Sequence, residues 1–330
     1  MAFSFKPSWI FVLLLFPLLA AVKLGQTGYM MFTEPGGHRA NTLVWIPKGR
    51  GLFHVAYEFE RAGIVDQPRD FYWVAQFFDG GKGIRAGEYE IPVGLSPKDA
   101  LTHIKTTKPY LRRITIAEGT TSAQVADMIN TKEFLSGNAV DGLVEGSLLP
   151  ETYFFERGDE RNTVLSRMEK GLDDLINPLW DARGVDFPLI TLADVITLAS
   201  IIEKETAKAS ERAHIAAVFL NRLRKKMRLQ SDPTVIYGIT QGLPLGRRLL
   251  TRDLNTLTPY NTYKIRGLPP GPIANPGADA IRAVFAPLSS KDLYFVADGT
   301  GGHVFARTLS AHNKNVRIWR KIRAQQEAEN

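Results

Sequence analysis

Trp9 to Val22 (WIFVLLLFPLLAAV), bracketed by Lys6 and Lys23, is a run of fourteen residues without a charge. Such a run cannot join a wetted surface, so it is lodged in lipid, buried in a core or removed. It falls short of the roughly 20 apolar residues that cross a bilayer. Its length is typical of a signal-peptide core, and Leu19-Ala20-Ala21 resembles a cleavage site. However, Leu24 to Phe32 is also uncharged and carries Tyr29, a residue type suited to the lipid interface, which makes room for a tilted span. We expect a retained signal anchor, a single-pass transmembrane helix, with residues 1–32 as anchor and flank. A cleaved signal peptide and a buried helix are the alternatives. Either an anchor or a signal peptide exports the rest of the chain.

The chain contains no cysteine. That excludes a disulfide framework, thiolate metal sites, a cysteine nucleophile and a lipidated N-terminal cysteine, so any anchor must be peptide. The six histidines show no metal-ligand spacing, and neither a metal nor another cofactor is expected. A formal net charge of +7 suits phosphates, anionic headgroups or an acidic polymer without choosing among them.

Residues 33–41 (TEPGGHRAN) read as a linker. Two segments then share one grammar of strand, glycine turn and helix: Leu43 to Pro47 followed by Leu52 to Ala62, and Ile114 to Ala117 followed by Ala123 to Ile129. Between them the pattern predicts a helix over Arg69 to Phe78, a strand over Gly87 to Val93 and a helix from Ser96 to Ile104. Residues 42–108 thus form a small α+β module. Gly49 and Gly51 lack the third glycine of a dinucleotide fingerprint, and Gly80-Gly81-Lys82-Gly83 lacks phosphate-loop spacing, so both are turns. Residues 109–330 form a second domain. Helices are expected at about 192–206 and 211–224, a hairpin at Leu293 to Ala306 about Asp298-Gly299, and a helical tail from about Leu309. The fold class is α+β.

Glu203 and Glu205 close the apolar run of the first of these helices. A carboxylic acid at such a place, part-buried and facing a polar cleft, acquires the raised pKa that protonating a leaving oxygen requires. At 100° per residue the two fall on opposite flanks of the apolar stripe at similar offsets, so periodicity does not choose between them. Taken alone, both also fit a solvated helix end paired with Lys208 and Arg212.

The blocks Leu198-Ala-Ser-Ile-Ile-Glu-Lys-Glu-Thr206, Asn221-Arg-Leu, Met227-Arg-Leu-Gln-Ser-Asp-Pro-Thr-Val-Ile-Tyr-Gly238, Tyr260-Asn-Thr-Tyr263, Gly267-Leu-Pro-Pro-Gly271, Asn275-Pro-Gly277 and Tyr294-Phe-Val-Ala-Asp-Gly299 resemble the YceG-like family of membrane-bound endolytic murein transglycosylases. The resemblance runs in order through essentially the whole chain. It implies cleavage of the β-1,4 bond between N-acetylmuramic acid and N-acetylglucosamine within nascent peptidoglycan strands, leaving 1,6-anhydro-muramyl ends and terminating glycan elongation. It also implies a LysM-like module at 42–108 and a lytic-transglycosylase-like catalytic domain at 109–330. The sugar's C6 hydroxyl replaces water, so one carboxyl group can suffice, unlike the paired carboxylates of hydrolysing glycosidases.

We carry the catalytic role onto Glu205, because Glu205-Thr206 resembles the Glu-Ser step of soluble lytic transglycosylases; Glu203 is the fallback. Gln230, Asp232, Tyr237, Asn261 and Tyr263 fall in cleft-forming motifs and are expected to bind sugar, though each also suits a turn or core position. The expected partners are peptidoglycan strands, the bacterial inner membrane and penicillin-binding synthases, not nucleic acid, with the catalytic domain in the periplasm. Two rivals stay open: a non-catalytic glycan-binding scaffold, and a hydrolytic muramidase using Asp232 or Glu151 as second carboxylate.

Overall fold

A computed structural model describes residues 8–328, with side-chain surroundings for 15–326. The anchor expectation falls partly outside these, since Lys6 and the side chains of 9–14 are not described. Helix α1 (Ser8–Thr33) has Pro17 within it. Leu15, Phe16, Leu18, Leu19, Val22 and Leu24 are exposed around its circumference. Among the described residues, no helix is long and apolar enough to cross a membrane.

The chain divides into two compact units, one comprising residues up to Arg112 with Phe154–Gly158, the other Arg113–Tyr153 with Asp159 onward. In the first, α1 leads into β1 (Thr42–Ile46), α2 (Leu52–Arg61), α3 (Pro68–Phe78), β2 (Gly87–Ile91) and α4 (Pro97–Thr106). β1 and β2 pair antiparallel with Val44 opposite Tyr89. The two-residue alternation buries Val44, Ile46, Tyr89 and Ile91 against Val55 and Phe59 of α2, Phe71 and Ala75 of α3, Leu101 and Ile104 of α4, and Phe32 of α1. The expected helix at Ser96 forms because the Ser96 hydroxyl caps the Asp99 amide at 3.1 Å and Pro97 opens the first turn.

The second unit is mostly helical. β3 (Arg112–Thr115) begins, and β4 (Thr152–Phe155) ends, on residues of the first unit; its other elements are α5 (Ser122–Asn130), α6 (Arg161–Asp181), α7 (Leu192–Glu205), α8 (Ala209–Arg224), α9 (Asp232–Thr240), α10 (Thr251–Asn255), α11 (Ala278–Phe285), β5 (Tyr294–Ala297), β6 (His303–Ala306) and α12 (Leu309–Ala328). Its core joins Leu172 and Ile176 of α6, Leu198 and Ile201 of α7, Ile215 and Phe219 of α8, and Ile281 and Val284 of α11. α7 is buried on every face from Thr197 to Ile202, the mark of a central helix. A reciprocal capping box between Thr191 and Asp194 starts it. It ends where Thr206 turns extended, at φ −143°. The last turn of a fixed central helix therefore presents Glu203 and Glu205.

Both repeats of strand, glycine turn and helix are present, and Gly49 and Gly119 occupy the left-handed region at φ 77° and 76°, where a side chain would be strained.

Candidate active site

Glu203 and Glu205 leave α7 about 200° apart and meet different chemistry. The Glu203 side chain is 6% exposed. Its Oε1 accepts a hydrogen bond from Arg212 Nη2 at 3.2 Å, and its Oε2 accepts one from the Gly277 amide at 3.0 Å. Arg212 also donates to Glu118 at 3.0 Å and to Asp279 at 3.5 Å. Burial and the adjacent Glu203 charge push the Glu118 carboxyl above its usual range despite Arg212. Both Glu203 oxygens are thus engaged in tying α7 to α8 and to the Gly277 turn.

Glu205 accepts a hydrogen bond from Ser231 Oγ at 2.5 Å, and among the described residues it forms no ion pair. It keeps a little surface toward a cleft and is otherwise enclosed by protein. That desolvation pushes its carboxyl from 4.5 up to about 7; Asp232 adds to the rise, while the Ser231 hydroxyl and Arg222 oppose it.

The cleft holds about 390 Å³ and is lined by Glu205, Arg222, Gln230, Asp232 and Tyr263, with the β5–β6 hairpin and α12 forming the remaining wall. Arg222, buried at 7% exposure, donates to the carbonyls of Leu293 at 2.6 Å and Leu229 at 2.7 Å, pinning the hairpin and the 229–230 loop to α8. Gln230 sits at φ 52°, a left-handed conformation that a non-glycine residue adopts at some strain. Its amide donates to Thr262 O at 3.2 Å, and its side-chain oxygen accepts from Arg222 at 3.4 Å. Tyr263 donates to Asp232 Oδ1 at 2.6 Å, and burial followed by this bond raises the phenol pKa.

Of the residues singled out in the sequence, Glu205, Gln230, Asp232 and Tyr263 come together here. Glu203 does not line it, and neither do two of the residues expected to bind sugar. Tyr237 packs in the core with its hydroxyl on Glu145 at 3.2 Å and its ring 4.9 Å from that of Tyr260. Asn261 is fully buried, donates to the carbonyls of Leu254 and Thr256, and accepts from the Tyr263 amide at 2.9 Å. It shapes the loop that carries Tyr263.

Sequence reasoning passed over Ser231, Arg222, His303 and His312. Ser231 stands at the N-cap of α9 and Arg222 within an already noted block, so both were within reach; the histidines converge only through the tertiary fold. His303 Nδ1 lies 2.7 Å from Glu211, whose second oxygen accepts from the His303 amide at 3.0 Å. Burial alone would raise the Glu211 carboxyl, but these bonds and Lys208 outweigh it and hold the carboxyl below its usual range.

A carboxylic acid half-titrated near neutrality, opening on a cleft of amide, phenol and guanidinium groups, can give a proton to a leaving oxygen and take one back.

The family model described as the YceG-like family matches residues 44–318. A Bacillus subtilis (strain 168) protein named endolytic murein transglycosylase is 31% identical over 303 residues, covering 82% of each chain. A Streptococcus pneumoniae (serotype 2, strain D39) protein of the same name is 29% identical over 319 residues, covering 83% of this chain and 57% of its own. The crystal structure of a yceG-like protein from Listeria monocytogenes superposes with a TM-score of 0.54 at 28% identity, covering 84% of this chain and 99% of that one.

Proposed function

The chain belongs to the YceG-like family, and from that membership we propose that it is an endolytic murein transglycosylase, cutting N-acetylmuramyl-β-1,4-N-acetylglucosamine bonds inside nascent peptidoglycan strands. The observation that carries the assignment of roles is Glu205, whose carboxyl is pushed up to about 7 at the wall of a polar cleft.

In this reading the protonated Glu205 donates to the glycosidic oxygen as the bond to the muramyl C1 breaks. The carboxylate formed then accepts the proton of the C6 hydroxyl as O6 bonds to C1. The acid is restored, no water is consumed, and the new end is a 1,6-anhydro-muramyl residue. Ser231 orients the Glu205 oxygen, while Gln230 and Tyr263 offer amide and phenol groups to acetamido and sugar hydroxyls. Asp232, held by Tyr263, contributes charge beside the acid. Tyr237 and Asn261 support the cleft from behind.

The exposed apolar helix α1 supports a single-pass anchor in the inner membrane with both units in the periplasm. The 42–108 region would act as a LysM-like module gripping glycan, and the enzyme would release strands made by penicillin-binding synthases, ending their elongation.

The test is mass spectrometry of products from purified peptidoglycan strands. Internal cuts with anhydro-muramyl ends are expected. Reducing ends would make it a muramidase with Asp232 as second carboxylate, and binding without cleavage would make it a scaffold. A native protein that starts at Met1 or Ala2 and needs detergent for extraction supports the anchor; a mature start near Val22 overturns it.

A further inference from the structure

Helix α3 of the first unit is apolar on both sides. Phe71 and Ala75 join the core, so in an ordinary surface helix the opposite side would be polar. Here it carries Trp73, 68% exposed, and Phe77, 84% exposed, four residues apart on one stripe. Two further exposed rings extend the patch. Phe53 of α2 lies 5.5 Å from the Tyr72 ring, which lies 5.2 Å from Trp73, and on the other flank Phe78 lies 5.1 Å from Phe77.

The patch runs on into α1. Phe78 lies 5.7 Å from the exposed Tyr29, and Gly28 sits so close to α3 that an added Cβ would come within 3.1 Å of a Val74 methyl. Met30 and Met31 are exposed beside Tyr29, and N-terminal to them stand the bare apolar side chains of α1 from Leu15 to Leu24. The rim is basic. Arg69 lies one turn before Trp73, Lys48 and Arg50 precede α2, and Lys82 follows Gly81, where an added Cβ would meet Leu52 of α2 at 2.9 Å; all four cations are exposed. Of the nearby carboxylates, Asp70 shares the outer side of α3 and Asp79 is paired with Lys105.

An exposed apolar patch of this kind marks a protein or membrane contact. Its continuity with a helix bare around its circumference favours lipid, which covers α1 and the aromatic face together. Trp and Tyr suit the headgroup level, and anionic headgroups complement the basic rim. We infer that the face of Phe53, Trp73 and Phe77 is an interfacial membrane-binding surface, laying the first unit on a bilayer that contains anionic lipid, beside the point where α1 enters it. This rests on reading α1 as a membrane anchor. A unit held in this way meets glycan close to the membrane.

Because the chain has no cysteine, a single introduced one reports a single position. The full-length chain carrying Leu19→Cys, Phe77→Cys or Thr102→Cys, each labelled with a polarity-sensitive nitrobenzoxadiazole fluorophore, is reconstituted in vesicles of phosphatidylethanolamine and phosphatidylglycerol. Thr102 is on the exposed side of α4 and serves as the aqueous reference. Labels at Leu19 and Phe77 should emit to the blue and be quenched by aqueous iodide several-fold less than the label at Thr102. Phe53→Gln with Trp73→Gln should return the Phe77 label toward water, and tyrosines at both positions, which suit the interface, should keep it protected. A Phe77 label as accessible as Thr102, with Leu19 protected, overturns the surface and leaves the anchor standing. An aqueous Leu19 label sinks the anchor reading instead. A Phe77 label unmoved by the glutamine pair shows that α1 alone draws it in, which also overturns the surface. So does protection that fades as the protein is diluted in lipid, which assigns the face to a second copy, or protection that appears only when glycan strands are added, which assigns it to sugar.

Discussion

Two glutamates two residues apart on one helix face regions built on opposite electrostatic principles. Around Glu203 the protein gathers Glu118, Asp279 and the nine-tenths-buried Arg212, and it fills both Glu203 oxygens with donors. Around Glu205 it withholds an ion pair, supplies a single hydroxyl and sets Asp232 nearby. Ion pairing makes a carboxylate part of the frame. Desolvation without such a pair leaves a carboxyl that exchanges its proton in the working range of pH. The difference lies in what α8, α9 and the Gly277 turn bring to each flank, not in the helix.

The sharpest way to break that contrast is to neutralise each glutamate in turn. Glu205→Gln keeps shape and hydrogen-bonding capacity but cannot pass a proton, so release of anhydro-muramyl ends should fall about 10²- to 10⁴-fold with the fold intact. Retention of near-normal rate by this variant, with Glu203→Gln dead, would exchange the two roles.

Next in size is the effect of pH on stability. The folded Glu205 pKa of about 7 lies above its ordinary 4.5, so between these values the native state binds more protons than the unfolded one. Stability from this group is therefore fully present below 4.5 and lost as pH rises to about 7, in total on the order of 3 kcal/mol. Glutamine mimics the neutral form at all pH. Glu205→Gln should thus match the unmodified protein near pH 4.5 and exceed it by up to that amount at pH 8 in denaturant unfolding. A constant difference across the range would show that Glu205 does not titrate where the contrast requires.

Glu203→Gln should behave in the opposite way. The Gly277 amide keeps an acceptor, while Arg212 loses one of three anionic partners, so unfolding should show a loss of about 1–3 kcal/mol. Product formation should drop less than tenfold. A variant as stable as the parent would mean that the Arg212 cluster does not hold the frame.

Much of this scaffold is legible along the chain. Thr191 with Asp194 marks the start of α7, its apolar run marks the core, and Asp298-Gly299 marks the hairpin turn, because capping and turn chemistry are local. α6 and α11 escaped notice. Asp232-Pro233 reads as a turn, yet it opens α9, where proline's missing N–H falls on a position that lacks an intrahelical acceptor anyway. At the site, motif residues could be gathered by resemblance, but the two glutamates have equivalent helical offsets. What separates them is Arg212 from α8 on one side and Ser231 from the start of α9 on the other, and such long-range partners leave no periodic trace. Likewise Tyr237 and Tyr263 share a residue type and a motif neighbourhood. One faces Glu145 in the core and the other Asp232 in the cleft.

The smallest expected effect probes the Ser231 hydroxyl. Ser231 is 1% exposed, and its Oγ is 2.5 Å from Glu205 Oε1. A hydroxyl donating to a carboxylate favours the charged form, so this bond restrains a pKa that burial drives upward. Ser231→Ala removes the restraint and leaves the neighbours in place, since the Ser231 amide still donates to Thr262 Oγ1 at 2.9 Å. The Glu205 pKa should rise by roughly half to one unit, the scale of the difference between a hydrogen bond to the charged carboxylate and one to the neutral acid. In the free enzyme the acid must be protonated to act, so kcat/KM falls above its pKa, and that limb should move to higher pH in the variant while the rate below it changes little. The measurement is the pH profile of anhydro-end formation for both proteins. A limb that stays in place would mean that Ser231 only packs, and one that moves to lower pH would contradict the assignment of the limb to a desolvated Glu205.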